Sequence, residues 1–156
     1  MRFFIVLAAS TLLAATTAEA SMVATQTVEK EVVVIDKDGK EKVLRKKAER
    51  VKPGESVIYT LKYKNEEQKA AEGLILVMPI PRDVTYVEGS VAGALSNVTF
   101  SADGGQTYVA RGRLTVTQDG EERAATNGDI THVKWSLSGA VPPKGAGEVS
   151  FRGVLK

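Results

Sequence analysis

Three stretches of this chain alternate apolar and polar side chains with a period of two, and no other feature constrains the fold as tightly. In residues 56–63, Val57, Tyr59, Leu61 and Tyr63 fall on one side, with mostly polar neighbours between them. In residues 131–137, Val133, Trp135 and Leu137 face one way and His132, Lys134 and Ser136 the other. Near the end, Val149, Phe151 and Leu155 alternate with Glu148, Ser150 and Arg152. A helix scatters such residues around its axis, whereas an extended strand collects them on one face. Each segment therefore reads as a half-buried antiparallel strand.

The intervening sequence extends the pattern. Residues 74–78 form a short continuous apolar run, expected to be a central strand covered on both faces, and residues 84–87, 98–100 and 114–116 add shorter strands. Turn chemistry separates them: Asp36-Lys37-Asp38-Gly39, Lys52-Pro53-Gly54, Asp103-Gly104-Gly105, Gln118-Asp119-Gly120 and Asn127-Gly128-Asp129. Many short strands at this spacing predict an all-β, immunoglobulin-like antiparallel β-sandwich rather than a parallel sheet. Residues 41–51 are rich in helix-favouring Lys, Glu, Arg and Ala. They follow the β-branched residues 31–35 across an Asp-Lys-Asp-Gly turn, so they are assigned as the second strand of an amino-terminal β-hairpin.

The amino terminus has a different character. Arg2 supplies a positive charge, residues 3–15 an apolar run, and Ala18-Glu19-Ala20 small residues two apart, which is the layout of a signal peptide cleaved after Ala20. Residues 1–20 are assigned to that signal-peptide helix and residues 21–156 to one sandwich domain. The remaining 136 or so residues suffice to bury a core unaided. The run is shorter than the roughly 20 residues a spanning helix needs, and the longest later run is interrupted by Pro79, so the mature chain is not expected to span a membrane. There is no cysteine, hence no disulfide staple and no lipidated amino-terminal cysteine. Export without cysteine points to a bacterial envelope, with the protein periplasmic or extracellular. The net charge of +2, with acids and bases interspersed, does not suggest a nucleic-acid binder.

Residues 51–65, with Pro53-Gly54, Val57, Tyr59-Thr60 and Asn65, are followed by Ala71-Glu72-Gly73-Leu74-Ile75-Leu76, Pro79-Ile80-Pro81 and Tyr86-Val87-Glu88-Gly89-Ser90. Together they resemble the conserved-repeat domain called domain of unknown function eleven. The likeness covers residues 50–90, and Phe100 to Gly105 and Thr131 to Trp135 look like its continuation in single-domain members. Two features depart from that pattern: Met78 precedes Pro79 where the family has an acidic residue, and there is one copy where many members carry tandem repeats. The resemblance implies an immunoglobulin-like fold in exported bacterial proteins, with adhesion or envelope organisation as the role, and implies no catalytic residues.

Physically these motifs read as architecture. Pro53 and Gly54 set a turn that starts the Val57 strand, Asn65 ends it through side-chain hydrogen bonds in the next loop, and Pro81 terminates the strand after Leu74. Trp135 points inward as a core anchor.

Few residues suggest chemistry. The lone His132 is placed on the solvent face beside Lys134, away from any serine. Ser90 in Gly89-Ser90-Val91-Ala92-Gly93 comes one place early for a nucleophile elbow, and Lys144-Gly145-Ala146-Gly147 lacks phosphate-loop spacing. Asp36 with Asp38, and Asp119 with Glu121 and Glu122, sit in hairpin turns rather than flanking a groove. Asp36-Lys37-Asp38-Gly39 fails the spacing of a calcium loop, leaving Asp103 or Asp129 as the acidic-turn candidates for calcium. The sequon at Asn97 has meaning only in a eukaryotic secretory pathway. The cationic run Lys40, Lys42, Arg45, Lys46, Lys47 and Arg50 reads as a solvated edge that blocks strand pairing, with contact to an anionic envelope polymer as the other reading.

No catalytic, cofactor or metal residue is therefore assigned. The expectation is a non-enzymatic structural or interaction domain of the envelope, partnered by an envelope protein or polymer. The alternatives are a fimbria-like subunit that donates residues 28–34 as a strand, and a small ligand- or carbohydrate-binding module.

Overall fold

The computed structural model describes residues 22–93 and 96–156, so the assigned signal-peptide helix lies outside the described residues. The chain forms the expected immunoglobulin-like antiparallel β-sandwich with an amino-terminal hairpin. Its larger sheet runs β2 (Glu41–Lys47), β1 (Met22–Ile35), β3 (Ser56–Asn65), β11 (Ala146–Leu155) and β5 (Val84–Tyr86). The short β6 (Ala92–Gly93) pairs with β11 beside β5. The smaller sheet is β4 (Ile75–Pro79), β10 (His132–Leu137) and β7 (Ser96–Ser101), and β8 (Thr115–Gln118) with β9 (Glu121–Ala124) makes a separate hairpin.

Alternation decides what fills the core. Val57, Tyr59 and Tyr63 of β3 and Val149 and Phe151 of β11 are buried, and so are Val133 and Trp135 of β10, as their spacing predicts. Tyr59 stacks on Phe151 with ring centres 5.0 Å apart, and Tyr86 meets Phe100 edge-on at 5.5 Å. The position in phase between Phe151 and Leu155 is Gly153, where an added Cβ would overlap Cγ1 of Val84. A glycine there lets β5 approach β11 closely.

The opposite face of β3 is less solvated than its pattern suggests, because Ile58 and Thr60 are also buried. Ile58 lies between Arg152 on β11 and Glu29 on β1. Arg152 reaches Glu31 with a 2.6 Å ion pair, so its arm crosses β3 on the face that Ile58 occupies.

The apolar run before Pro79 is corrected by the structure. It forms an edge strand, with Leu76 and Met78 buried but Ile75 and Val77 exposed. The smaller sheet has only three strands and nothing covers its outer face at β4 among the described residues. The strand ends at Pro79, two residues before the expected Pro81.

Two turns show how local chemistry sets register. Pro53 and Gly54 form a turn closed by Glu55 N–H to Lys52 O at 3.0 Å, with Gly54 at φ 87°. The β8–β9 turn uses Asp119 and Gly120 at φ 54° and 84°, the paired positive angles of a type I′ hairpin.

Candidate interaction surface

Two of the acidic residues that suggested chemistry hold loops together. Asp103 accepts hydrogen bonds from the Ser101 hydroxyl at 2.6 Å, the Thr107 hydroxyl at 2.6 Å and the amides of Gln106 and Thr107. Those donors, the Ser101 hydroxyl foremost, hold its carboxyl below the usual carboxylate range. Asp129 is held down in the same way, first by a two-pronged contact with Arg123 at 2.8 and 3.1 Å and then by the Thr126 hydroxyl. Both side chains are thus engaged by donors in or beside their own loops. Among the described residues, no three acidic, histidine or cysteine side chains gather as metal ligands.

Asn65 is fully buried and ends β3 as expected. Its Nδ2 donates to the carbonyls of Lys69, Val141 and Pro142, and its Oδ1 accepts from the Glu67 amide. Ser90 has a comparable structural task. Residues 87–91 bulge between β5 and β6, and the Ser90 hydroxyl accepts the Arg152 amide at 2.9 Å while donating to Val87 O at 2.6 Å. It stands in for the carbonyl that the bulge removes from the ladder.

His132 sits half-buried on the outer face of the smaller sheet, with Nδ1 3.1 Å from the Thr131 hydroxyl. Beside it, the Lys134 amine lies 4.2 Å from the centre of the Tyr108 ring and caps the aromatic face that a sugar platform would need. The cationic run does not form one patch. Lys42 and Lys46 share one face of the hairpin with Lys30, which pairs directly with Lys46, while Arg45 lies on the other face opposite Glu31. Two of the shallow hollows among the described residues lie next to apolar side chains. One, about 540 Å³, crosses Val23, Lys62 and Glu148 on the outer face of the larger sheet. The other, about 410 Å³, lies among Tyr63, Leu137, Val141 and Pro142 at one end of the sandwich.

What the fold leaves unfinished is its lateral margin. Tyr86 on Phe100 places β7 beneath β5, so the strand orders put β10 beneath β11 and β4 beneath β3. No described strand lies beneath β1. Accordingly Val23, Ala24, Thr25 and Gln26 are all exposed, on both faces of one strand. Among the described residues the adjacent edge of β4 is open as well. Leu74 and Ile80 bond to β10, which fixes the parity: the backbone groups of Leu76 and Met78 also face β10, and those of Ile75, Val77 and Pro79 face outward.

Sequence reasoning missed this margin because five consecutive apolar residues conceal which of them face solvent. Pro79 was the available signal, since a proline inside a strand belongs at an edge. Comparison with protein-family models, curated proteins and solved structures finds no match.

Proposed function

We propose that this chain is an exported, non-enzymatic structural or protein-interaction domain of the bacterial cell envelope. The observation that carries the reading is the open lateral margin, where β4 offers an unpaired apolar edge beside an uncovered stretch of β1. A sandwich exposing backbone donors and acceptors next to aliphatic side chains is suited to adding a strand from a partner. The signal-like residues 1–20, and the resemblance of residues 50–90 to a repeat domain of exported proteins, support the envelope location in this reading.

The test is fractionation of the native host. Under this reading the processed protein sediments with envelope or extracellular polymer, and crosslinking captures a partner at β4. A freely soluble periplasmic monomer that captures no protein, and binds a small molecule in the hollow beside Tyr63, would replace it with a ligand-binding role.

A further inference from the structure

We infer that the partner at the β4 edge is a second copy of this chain, which docks its β1–β2 hairpin there and builds an open head-to-tail assembly. This deepens the interaction reading above and rests on it.

The hairpin is built to protrude. β1 pairs with β3 only through Glu29, opposite Ile58, and from there to Ile35 it pairs with β2 alone. The outer part of the ribbon therefore projects beyond the end of the sandwich where β3 begins. Its side chains are the wrong ones for a free arm: Val33, Ile35 and Val43 are 59–64 % exposed and share one face, with Val33 directly opposite Val43. The other exposed aliphatic pair on one face is Ile75 and Val77 of β4, 59 and 41 % exposed.

Backbone parity matches these two surfaces. Asp36 N–H binds Lys40 O and Ala48 N–H binds Val28 O, so even-numbered residues of β2 turn their backbone groups toward β1. Glu41, Val43, Arg45 and Lys47 consequently turn theirs to the free edge. On β4 the outward residues are Ile75, Val77 and Pro79. An antiparallel register with Val43 opposite Val77 places Arg45 opposite Ile75 and Glu41 opposite Pro79, and each is an outward residue facing an outward residue. Directly opposite residues share a sheet face. Val43 and Val33 of the incoming hairpin thus join Val77 and Ile75 in one apolar surface, while Leu44 turns beneath the uncovered stretch of β1.

Charge agrees with the same register. The carboxyl half of β2 carries Arg45, Lys46 and Lys47, and in this register it runs toward Glu72, the exposed acid three residues before β4. At the other end Glu41 lies three positions from the exposed Arg82. The lysines that deter indiscriminate edge pairing then favour this one edge.

Pairing β4 with β4 of another copy is sterically barred, because the overhanging β1 of each copy fills the layer that β3 of the other requires. The permitted contact joins two unlike surfaces, and a contact of that kind propagates instead of closing.

The absence of native cysteine makes the register directly testable. A directly opposite, hydrogen-bonded antiparallel pair has its Cα atoms about 5.5 Å apart, within the range that a disulfide bridges. The processed full chain carrying Val43→Cys is mixed with the chain carrying Val77→Cys and oxidised mildly. A disulfide-linked mixed dimer is expected, with neither variant dimerising alone, and a chain carrying both cysteines should give a ladder of multimers. Val77→Lys, at an exposed position, should keep the wild-type melting curve and abolish wild-type sedimentation as polymer. Dimers of Val77→Cys alone would overturn the inference by showing edge-to-edge pairing. An absent mixed dimer would also overturn it. In that case, sedimentation of the native protein with the envelope would leave the interaction reading standing with a different partner, and a soluble monomer would remove both.

Discussion

Replacing Asn65 separates a structural amide from a merely polar one, because its surroundings penalise the nearly isosteric aspartate more than alanine. The Asn65 amide has two hydrogens and three carbonyl acceptors, Lys69 at 2.8 Å, Val141 at 3.0 Å and Pro142 at 3.2 Å, so one hydrogen is shared. Its oxygen accepts from the Glu67 amide at 3.0 Å. Asn65→Ala removes all of these, but Val141 O keeps the Ala71 amide and Pro142 O keeps the Gly145 amide. At about 1 kcal/mol net for each bond not otherwise replaced, plus a small void, the loss is about 3 kcal/mol, or roughly 10 °C in Tm for a chain of this size. Asn65→Asp is nearly isosteric yet worse at neutral pH, since a carboxylate oxygen then faces three carbonyl oxygens with no proton to give. It should cost at least about 2 kcal/mol more than alanine. That aspartate has its folded pKa raised above the unfolded value of about 3.9. Its extra penalty is full above the folded pKa and vanishes below the unfolded one, so the aspartate variant gains on the alanine variant as the pH falls. Urea unfolding followed by the fluorescence of the single, fully buried Trp135 reads both numbers. Equal stability of the two variants at pH 7, or a gap that widens in acid, would refute the assignment of the amide as donor to those carbonyls.

Ser90→Ala should cost about 1–2 kcal/mol, because the Arg152 amide loses its acceptor in the bulge. Faster hydrogen exchange confined to that amide and its neighbours is the accompanying sign. Gly153→Ala should destabilise by more than about 1 kcal/mol, and Val84→Ala, which removes the overlapping methyl, should recover part of that in a double-mutant cycle. Additive losses would mean that the two strands part instead. Asp103 and Asp129 titrate below the ordinary carboxylate range when folded, so each adds stability above about pH 4 that is lost as the pH falls further. Asp103→Asn and Asp129→Asn should each lower stability at neutral pH and flatten its fall below about pH 4, measured by thermal melting across that range.

The period of two in β3, β10 and β11 was enough to identify the strands, their inward faces and the all-β class, because alternation is a local property of an extended chain. Local stereochemistry likewise made the turns legible. Pro53-Gly54 and Asp119-Gly120 name their own dihedral angles, and Asn65 could be assigned to end its strand before any neighbour was known. Which strands lie at the margins is not local. Ile75 and Val77 are as apolar as Leu76 and Met78, and only the assembly of a three-stranded sheet beneath a wider one leaves the first pair in water. Likewise Ile58 reads as an outward residue until Arg152, 94 positions away, reaches across β3 on its face to pair with Glu31. The acidic turns looked like candidate ligand sites because composition records carboxylates and not their partners. Folding brought Ser101 and Thr107 onto Asp103, and Thr126 and Arg123 onto Asp129. The open margin beside β4 is likewise a property of layer order: it exists because the chain places five strands across one sheet and three across the other.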